Sequence, residues 1–392
     1  MTSEWNHFAL GEITELVIDY RGKTPKKLGG DWCKQGYRAL SAKNIKTGRI
    51  VQAETIRYID ESLYRKWMKD EVQRGDILIT SEAPFGQIFF WDSDEKIVLS
   101  QRLFCVRIKP EYDARFIYYY MTTPEFQSEL DGRATGTTVI GLRQPELMKC
   151  VIRCPEIQEQ KVIAAILSSI DAKIIANEKV NDNLQQQAAA LFSSLYDRTN
   201  TEVRFTDLIQ ILGGGTPKTG ENTYWNGNIA FFTPKDVGTP YTLITEKTIT
   251  EEGLSHCNSR LYPVNTVFVT ARGTVGKVGM SGVPMAMNQS CYALVGKETH
   301  QLLVYFYTLK AVDRLKHKAS GAVFDAITTR DFESEQIMKL SDDDAKAFLC
   351  IAEPMFQKVL NNCIENLRLS TLRDSLLPKL MSGEVDVSAV QL

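Results

Sequence analysis

The sequence predicts an α+β chain in which two tandem mixed α/β domains are separated by two long helices that form an intramolecular antiparallel coiled coil. Three observations predict this architecture. The chain has 392 residues, enough for about two to three domains. Its two halves share an ordered series of matching segments. Each half ends in a heptad pattern of apolar residues, which is typical of a long helix that packs on another helix.

The matching segments define an internal duplication. Thr24-Pro25-Lys26 recurs as Thr216-Pro217-Lys218, and Lys43 is followed 192 positions later by Lys235. Further matches follow in the same order while the offset shrinks from 192 to 185 residues: the runs at 77–80 and 267–270, Gly86 and Gly276, Gln101 and Gln289, and Thr135-Gly136 and Ser320-Gly321. An ordered series of this length indicates two copies of one unit that differ by a few loop residues.

Each copy predicts the same elements in the same order. Short β-rich runs bounded by Gly and Pro lie at 77–80, 87–91 and 267–270. Tyrosine-rich helical segments follow at 115–121 and 302–309, and a long helix closes each copy. The predicted boundaries are 1–154 for the first domain, 155–198 for the first spacer helix, 199–340 for the second domain, 341–380 for the second spacer helix and 381–392 for a C-terminal tail.

The ends of the two long helices carry sequence signals. Pro155 suits a first turn, because the N–H that it lacks would have no partner there. Ser341, followed by aspartates at 342–344, suits an N-cap at the positive end of the helix dipole. Pro354 is expected to kink or restart the second helix, and Pro378 is expected to end it. A helix of about 40 residues is about 60 Å long and can act as a spacer.

Both long helices show a 4-3 spacing of apolar residues held for about four heptads, the pattern of a coiled-coil seam. The predicted seam consists of Leu167, Ile170, Ile174, Asn177, Asn181, Leu184 and Leu191 in the first helix and Met355, Val359, Asn362, Asn366, Leu369 and Leu376 in the second. Because a buried asparagine costs stability but specifies register, we expect the asparagines of one helix to pair with those of the other. Two separate amphipathic helices, each packed on its own domain, are the alternative.

Composition argues against several protein classes. The chain has 46 Lys and Arg against 48 Asp and Glu, so its formal net charge of −2 gives no global sign of a nucleic-acid partner. No apolar run of about 18 residues predicts a transmembrane helix, and the first ten residues lack a signal-peptide core. The eight cysteines form no Cys-x-x-Cys pair, and Cys150 and Cys154 are expected to be reduced. We therefore expect a cytoplasmic protein.

Catalytic motifs are missing from the sequence as well. The chain contains no Pro-Pro dipeptide of the kind found in adenine methyltransferases. The glycines at 213–215 do not form a dinucleotide-binding loop, and the phosphate-binding loop pattern fails at 271–278. Residues 94–96 have the acidic-x-Lys spacing of some nucleases, which is common by chance. We therefore expect neither catalytic residues nor a metal site in this chain.

A local basic segment is the main candidate for ligand contact. Residues 21–49 contain nine basic residues and one acidic residue, and several glycines make the segment loop-rich. Lysines on such loops suit contacts to phosphates, whereas Arg or Asn can read base edges. A solvated basic surface is the alternative. The matching segment 213–241 has two lysines and two acidic residues, so the two copies differ in net charge at matching positions of the repeat.

Repeated glycine-containing loops are further candidates. The segments 82–86 and 272–276 follow predicted strands, where a glycine either brings the backbone near a ligand or forms a plain tight turn. The segments 133–138 and 318–323 place a cation, a hydroxyl and a glycine in sequence, which suits a phosphate site or an ordinary loop. Four aromatic residues are expected in the core rather than stacked on bases: Trp32, Tyr37, Trp225 and Phe231.

The duplicated order of these motifs resembles the specificity subunit of type I restriction-modification enzymes over nearly the whole chain. Four features carry the resemblance: the glycine-then-Thr-Pro-Lys segments at 22–26 and 213–218, the strand-then-glycine turns at 76–86 and 266–276, Pro155-Glu-Ile-Gln-Glu-Gln160, and Leu376-Leu-Pro-Lys-Leu-Met-Ser-Gly-Glu384. No single motif is decisive, but their duplicated order is specific.

The resemblance implies that each globular domain is a target-recognition domain that reads one half of a bipartite, asymmetric site in double-stranded DNA. It implies that the helices set the spacing between the halves and bind two methyltransferase subunits. Restriction subunits, which are ATP-dependent translocases and nucleases, then join the complex. S-adenosylmethionine and ATP with Mg are accordingly expected on partner subunits. This chain is expected to be non-catalytic and to hold no cofactor or metal.

Loop residues with cationic or polar side chains are the candidate DNA contacts. The first domain supplies Lys23, Thr24, Lys26, Lys27, Lys43, Asn44 and Arg133. The second domain supplies Thr216, Lys218, Lys235, Arg272, Lys277 and Lys318. A two-domain protein-interaction scaffold without DNA binding is the alternative, which the basic first segment disfavours. A self-sufficient enzyme is disfavoured by the missing motifs.

Overall fold

The computed structural model describes residues 5–136, 140–238, 240–318, 326–387 and 390, and it divides into two units. Unit 1 comprises Met1–Ala172 and Leu369–Leu392, and unit 2 comprises Lys173–Arg368. Both long helices contribute residues to both units. The predicted α+β class with two tandem domains and long helices is confirmed.

Unit 1 contains short strands, short helices and the first long helix. Its strands are β1 (Asn6–Ala9), β2 (Thr14–Ile18), β3 (Tyr37–Leu40), β4 (Ile45–Lys46), β5 (Arg49–Ile50), β6 (Arg57–Ile59), β7 (Ile77–Thr80), β8 (Ile88–Phe90), β9 (Ile97–Leu99), β10 (Leu103–Ile108) and β11 (Val151–Cys154). Its helices are α1 (Leu10–Ile13), α2 (Glu61–Trp67), α3 (Ala114–Met121), α4 (Pro124–Arg133), α5 (Gln144–Met148) and the start of α6 (Ile157–Tyr196).

The strands of unit 1 form two principal sheets and two separate two-stranded antiparallel pairs. One sheet has the order β2-β10-β7-β8 and is antiparallel. The other has the order β6-β3-β9, with β3 antiparallel to β6 and parallel to β9. Strand β1 pairs with β11, and β4 pairs with β5. The basic segment therefore runs from β2 into the second sheet.

Unit 2 repeats this set of elements. Its strands are β12 (Glu202–Arg204), β13 (Ile209–Gly213), β14 (Trp225–Phe232), β15 (Tyr241–Thr242), β16 (Lys247–Ile249), β17 (Val267–Thr270), β18 (Val278–Ser281), β19 (Met285–Met287), β20 (Cys291–Gly296) and β21 (Gln336–Met338). Its helices are α7 (Phe205–Leu208), α8 (Glu251–Ser255), α9 (Gln301–Lys318), α10 (Thr329–Ser334) and α11 (Asp342–Met381), the last of which ends in unit 1.

The two principal sheets of unit 2 have the same topology as those of unit 1, apart from one added strand, and the β4–β5 pair has no counterpart among the described residues of unit 2. The order β13-β20-β17-β18 corresponds to β2-β10-β7-β8, with β15 added at the edge. The order β16-β14-β19 corresponds to β6-β3-β9 and has the same antiparallel and parallel pairings. Arg38 pairs with Ile97 in unit 1 as Ala230 pairs with Met285 in unit 2. The duplication seen in the sequence is therefore also a duplication of topology and register.

The repeated turn after the central strand shows why its residues recur. The Thr80 hydroxyl accepts from the Gln87 N–H at 2.8 Å, and the Thr270 hydroxyl accepts from the Lys277 N–H at 2.9 Å. Gly86 and the matching glycine in unit 2 have φ of 69° and 74°. These values lie in the left-handed region that glycine tolerates best. A tight turn, rather than a ligand contact, accounts for this glycine.

The two long helices pair antiparallel within unit 2. Asn177 donates to Asn366 Oδ1 at 2.8 Å, and Asn362 donates to Asn181 Oδ1 at 2.8 Å, so rising numbers in α6 meet falling numbers in α11. The predicted pairing of asparagines across the seam is confirmed. Seven of the predicted seam residues are buried, namely Leu167, Ile170, Ile174, Asn177, Asn181, Val359 and Asn362. The other six are half-buried: Leu184, Leu191, Met355, Asn366, Leu369 and Leu376.

Within unit 1, the first part of α6 and the last part of α11 are joined by an ion pair and by apolar packing. Arg373 of α11 donates to Asp171 of α6 at 2.8 Å, and the same carboxylate accepts from the Tyr119 hydroxyl of α3 at 2.6 Å. Leu167 and Leu380 belong to one buried cluster with Phe116. Helix α3 therefore packs against the helix pair, which fixes the first globule to the ends of both helices.

The second long helix is continuous across both of its prolines. Helix α11 continues through Pro354, and it passes Pro378 to end at Met381. Both prolines lie on the exposed face, so a carbonyl that loses its N–H partner there can be hydrated instead. The expectation that Pro378 ends the helix is wrong, and Pro354 does not divide the helix into two segments.

The asparagine pair makes a prediction about stability. Asn362→Leu leaves the buried Asn181 Oδ1 without its donor, and an unsatisfied buried acceptor costs about 1–3 kcal/mol. The double variant Asn181→Leu/Asn362→Leu removes both polar groups and should recover most of that loss. Chemical denaturation of the two single variants and the double variant measures the coupling. Additive losses would contradict the pairing, and Asn361→Leu on the exposed face is the matched control.

Two further expectations concern the cysteines and the membrane. All eight cysteines are free, as the sequence predicts for Cys150 and Cys154. Burial raises the pKa of the Cys150 and Cys154 thiols to about 12, which disfavours the reactive thiolate. None of the described helices combines the length and apolar composition needed to cross a membrane.

Candidate nucleic-acid interface

A capped turn after β3 presents Lys43 to solvent. Residues Ala42–Asn44 form a 3₁₀ turn, and both the backbone N–H and the hydroxyl of Ser41 donate to Asn44 Oδ1, at 3.1 and 2.8 Å. The Asn44 amide donates in turn to the Gln52 carbonyl and to the Thr55 hydroxyl. Lys43 lies in the middle of this turn with its side chain exposed.

Unit 2 builds the same turn from different residues. The backbone N–H and the hydroxyl of Thr233 donate to Asp236 Oδ2 at 2.8 and 2.6 Å, and Asp236 Oδ1 accepts from the Glu246 N–H at 2.7 Å. Lys235 lies within this turn and is 80% exposed. A Ser or Thr cap bonded to an Asn or Asp three residues later therefore positions one lysine in each unit.

In unit 1, the residues shared by the two copies converge on one cleft of about 150 Å³, which we call cleft 1. Its lining includes Thr24 of the Thr-Pro-Lys motif, Ser41, Lys43 and Gln101. The lining also includes four residues that the sequence reasoning does not select as DNA contacts: Trp32, Thr55, Arg57 and Trp67. Segments far apart in the sequence thus meet at the edge of the β6-β3-β9 sheet.

Unit 2 has a cleft of about 420 Å³ at the corresponding place, which we call cleft 2. It is lined by Thr233, Pro234, Lys235, Glu246, Lys247, Gly273, Thr274 and Asn288. Beside it the Thr216 hydroxyl donates to Gln289 Oε1, so the Thr-Pro-Lys motif and the repeated glutamine meet in unit 2 as well. Four matching positions of the repeat therefore line both clefts: Ser41 and Thr233, Lys43 and Lys235, Arg57 and Lys247, and Ser100 and Asn288.

The clefts differ in charge. Lys23, Lys43 and Arg57 line cleft 1. In cleft 2, Lys235 lies 3.6 Å from Glu246, and Lys247 is the second cation. A carboxylate at this place provides an acceptor that cleft 1 lacks, so the two clefts offer different hydrogen-bonding groups.

The lysines of the first basic loop differ in availability. Lys23 is half-buried, donates to the Trp67 carbonyl at 2.6 Å and lies 3.8 Å from the centre of the Tyr20 ring. Burial lowers its pKa below the ordinary lysine value. Lys27 is exposed but donates to the Gly22 carbonyl at 2.7 Å. Lys26 is exposed and forms no ion pair with any residue that the structure describes. Of these three lysines, Lys26 is the most available to a ligand.

Asn44 does not have the role that the sequence predicts. Its side chain is fully buried, and both its oxygen and its amide nitrogen are occupied within the turn and its support. Such a side chain cannot reach DNA without breaking the turn. Asn44 instead positions Lys43, which argues against the predicted direct contact by Asn44.

Two of the cationic side chains predicted to contact DNA form ion pairs with carboxylates of their own domain. Arg133 lies 3.0 Å from Glu129 and 3.8 Å from Glu146. Lys318 pairs with Glu335, whose side chain is fully buried and is also approached by Arg314 at 2.8 Å. Both cations stabilise their own domain, which argues against their predicted DNA contacts. The end of the predicted segment 133–138 and all but Lys318 of the segment 318–323 lie outside the described residues.

The remaining predicted residues of unit 2 are exposed. Thr216, Lys218, Arg272 and Lys277 all lie at the surface. Arg272 lies just after β17 and directly before Gly273 and Thr274, which line cleft 2. Its backbone forms an isolated β-bridge with that of Ala326. Lys277 precedes β18 beyond the same turn. Among the described residues, no group of three His, Cys, Asp or Glu could hold a metal ion.

The sequence reasoning missed Arg57 and Lys247. They begin the matching strands β6 and β16, where Arg57 pairs with Ala39 and Lys247 with Phe231. The two partner residues, Ala39 and Phe231, are 192 positions apart in the sequence, which is the offset of the repeat in this region. Aligning the two copies through these strands would have shown a cation at the same position in each.

The duplicated architecture and its paired clefts agree with one protein family. A family model for the type I restriction modification DNA specificity domain matches residues 2–186 and 198–339. The chain therefore belongs to that family, whose general role is the recognition of DNA sequence. This confirms the resemblance drawn from the repeated motifs.

Individual relatives agree with this assignment. The MjaIX specificity subunit of a type I restriction enzyme from Methanocaldococcus jannaschii is 23% identical over 80% of this chain and 78% of its own length. The HindI specificity subunit from Haemophilus influenzae is 22% identical over 81% of this chain and 88% of its own length. The crystal structure of a type I S subunit from M. genitalium has the same fold, with a TM-score of 0.61, 16% identity and 96% of each chain covered.

Proposed function

We propose that this chain is the non-catalytic specificity subunit of a type I restriction-modification complex and that each unit reads one half of a bipartite, asymmetric DNA site. One observation carries the proposal: four matching positions of the repeat line a cleft in both units, while the other side chains around the two clefts differ. Matching cleft positions in the two units support the same function for both units. Different polar groups support two different half-sites.

In and around the two clefts, the residues divide by the DNA group that suits them. Exposed lysines, such as Lys26, Lys43, Lys218 and Lys235, suit phosphates, which position the protein without reading sequence. The repeated glutamines, Gln101 and Gln289, are exposed and suit base edges, because a side-chain amide can pair with adenine in the major groove. Glu246 in cleft 2 suits the exocyclic amine of cytosine.

The long helices complete the proposed complex. They set the gap between the two half-sites, and their outer faces dock two methyltransferase subunits, which the restriction subunits then join. Exposed aliphatic side chains on the helices, including Ile175, Val180 and Ile351, support such docking. S-adenosylmethionine belongs to the methyltransferase subunits, and ATP with Mg belongs to the restriction subunits. The complex acts in the cytoplasm, where it has access to DNA.

Selection from a pool of random duplex DNA tests this function. The full chain, assembled with its methyltransferase subunits, should enrich DNA that carries two short conserved blocks separated by an unconserved gap of constant length. Sequencing of the retained DNA measures both the blocks and the gap. A single contiguous block, or no enrichment over the input pool, would contradict the proposal.

A further inference from the structure

We propose that Arg57 and Lys247 are DNA-phosphate contacts, one in each cleft, held in place by a tryptophan. The inference rests on the proposed function and deepens it, because it assigns a DNA group to two residues that the repeated motifs do not include. Both residues are exposed, and both line their clefts beside the lysine of the capped turn. They occupy one position of the repeat, as the strand register shows.

Each of the two cations lies against an indole ring. The Arg57 guanidinium is 5.3 Å from the centre of the Trp32 ring, and the Lys247 ammonium is 5.5 Å from the centre of the Trp225 ring. These distances fall within the range of cation–π attraction, about 6 Å. The pairing of a cation with a tryptophan therefore recurs in both copies, with arginine in one and lysine in the other.

The indoles are themselves fixed. Trp32 is half-buried and lies 6.3 Å from Trp67, whose ring is fully buried. The Trp225 Nε1 donates to the Lys218 carbonyl at 3.1 Å, and its ring meets Phe231 edge-on at 5.6 Å. An indole held by neighbouring groups gives the cation a preferred position. The cation then loses less conformational freedom when it binds an anion.

Arg57 and Lys247 form no ion pair with any residue that the structure describes. Arg38, one strand away from Arg57, pairs with Glu95. Arg107 pairs with the buried Asp76. These two arginines are paired with carboxylates of their own domain, whereas the Arg57 and Lys247 side chains can bind an external anion.

A phosphate is the anion that this arrangement fits. In cleft 1 the Arg57 and Lys43 side chains bring two positive groups to one concave site, and their mutual repulsion is relieved when an anion lies between them. Phosphates of double-stranded DNA recur along the groove, so clefts that recur in the protein can each engage one. The release of condensed counterions from DNA favours such contacts and makes them sensitive to salt.

Charge-neutral variants test the assignment. Arg57→Gln and Lys247→Gln keep most of the aliphatic stem on the indole but remove the charge. The full chain is titrated with random-sequence duplex DNA across a series of KCl concentrations. Each variant should bind about 3- to 10-fold more weakly, and the slope of log K against log salt should become shallower by about 1. The double variant should lower the slope by about 2.

The controls separate this inference from the proposed function. Lys66→Gln on α2 and Lys297→Gln after β20 remove an exposed charge from each unit outside the clefts. If the cleft variants match these controls in affinity and slope, Arg57 and Lys247 are not phosphate contacts. If the unaltered chain shows no salt-dependent DNA binding, the proposed function itself fails. Arg57→Lys keeps the charge and should restore most of the affinity.

Discussion

Phe306→Ala should lower the free energy of unfolding of unit 2 by about 3–5 kcal/mol, the usual cost of emptying a buried phenylalanine site. Phe306 lies on α9 and is 3% exposed. Its ring centre is 5.0 Å from that of Phe192 on α6, and 5.2 and 5.6 Å from those of Phe348 and Phe356 on α11. One side chain therefore joins the second globule to both long helices within unit 2.

The geometry explains why this loss should exceed that of an ordinary core residue. The rings around Phe306 are placed edge-on or stacked, arrangements worth about 0.5–1.5 kcal/mol per pair beyond area burial. Several of these contacts are lost at once in the alanine variant. The helix pair and the sheets would no longer be held by one aromatic cluster, so the unit should open locally before it unfolds globally.

Hydrogen–deuterium exchange on peptides of α9 and α11 measures the effect. Protection of these peptides should fall sharply in Phe306→Ala, while peptides of the unit 1 sheets should be unchanged. Ile351→Ala on the exposed face of α11 is the control, with an expected change of about 0.5 kcal/mol or less. Equal losses in the two variants would contradict the role assigned to Phe306.

The sequence was sufficient to predict the elements that repeat. Strands β7 and β17 were located to the residue, because a short apolar run ends in a threonine that organises a glycine turn in both copies. The asparagine pairs could be predicted because a polar residue at a coiled-coil seam is costly unless it is paired. Two copies of one pattern supplied an internal comparison that a single domain lacks.

The parts of the site that depend on tertiary packing could not be predicted. Lys318 looked available because its carboxylate partner, Glu335, comes from another element beside β21. Arg133 pairs first with Glu129 four residues earlier on α4, a spacing that the sequence shows, and more distantly with Glu146 on α5. Asn44 looked like a DNA contact because an asparagine on a basic loop can read base edges, whereas its Oδ1 accepts from Ser41 within the turn. Arg57 and Lys247 were missed because their equivalence appears only through strand register.

The second prediction with a large effect concerns sequence discrimination. Gln101→Ala should relax recognition at one base pair of one half-site, and Gln289→Ala should do the same in the other half-site. Each loss should amount to about 1–3 kcal/mol of discrimination, the value of a bidentate base contact. Gln101 lines cleft 1, and Gln289 lies beside cleft 2 against Thr216, so each variant alters one unit alone.

A matched pair of lysine variants distinguishes base reading from general binding. Lys43→Gln and Lys235→Gln remove one proposed phosphate contact from each cleft. They should weaken binding to all sequences about equally and leave the selected motif unchanged. Relaxed sequence preference in the lysine variants, with an intact motif in the glutamine variants, would reverse the two assignments.

The most direct test of the central claim is DNA selection carried out in parallel with the unaltered chain, Gln101→Ala and Gln289→Ala, each assembled with methyltransferase subunits. The claim is that two equivalent units read two separate half-sites. It predicts that each variant loses preference within a different block while the other block and the gap stay the same. Loss of preference at the same positions in both variants, or in both blocks of either one, would contradict it.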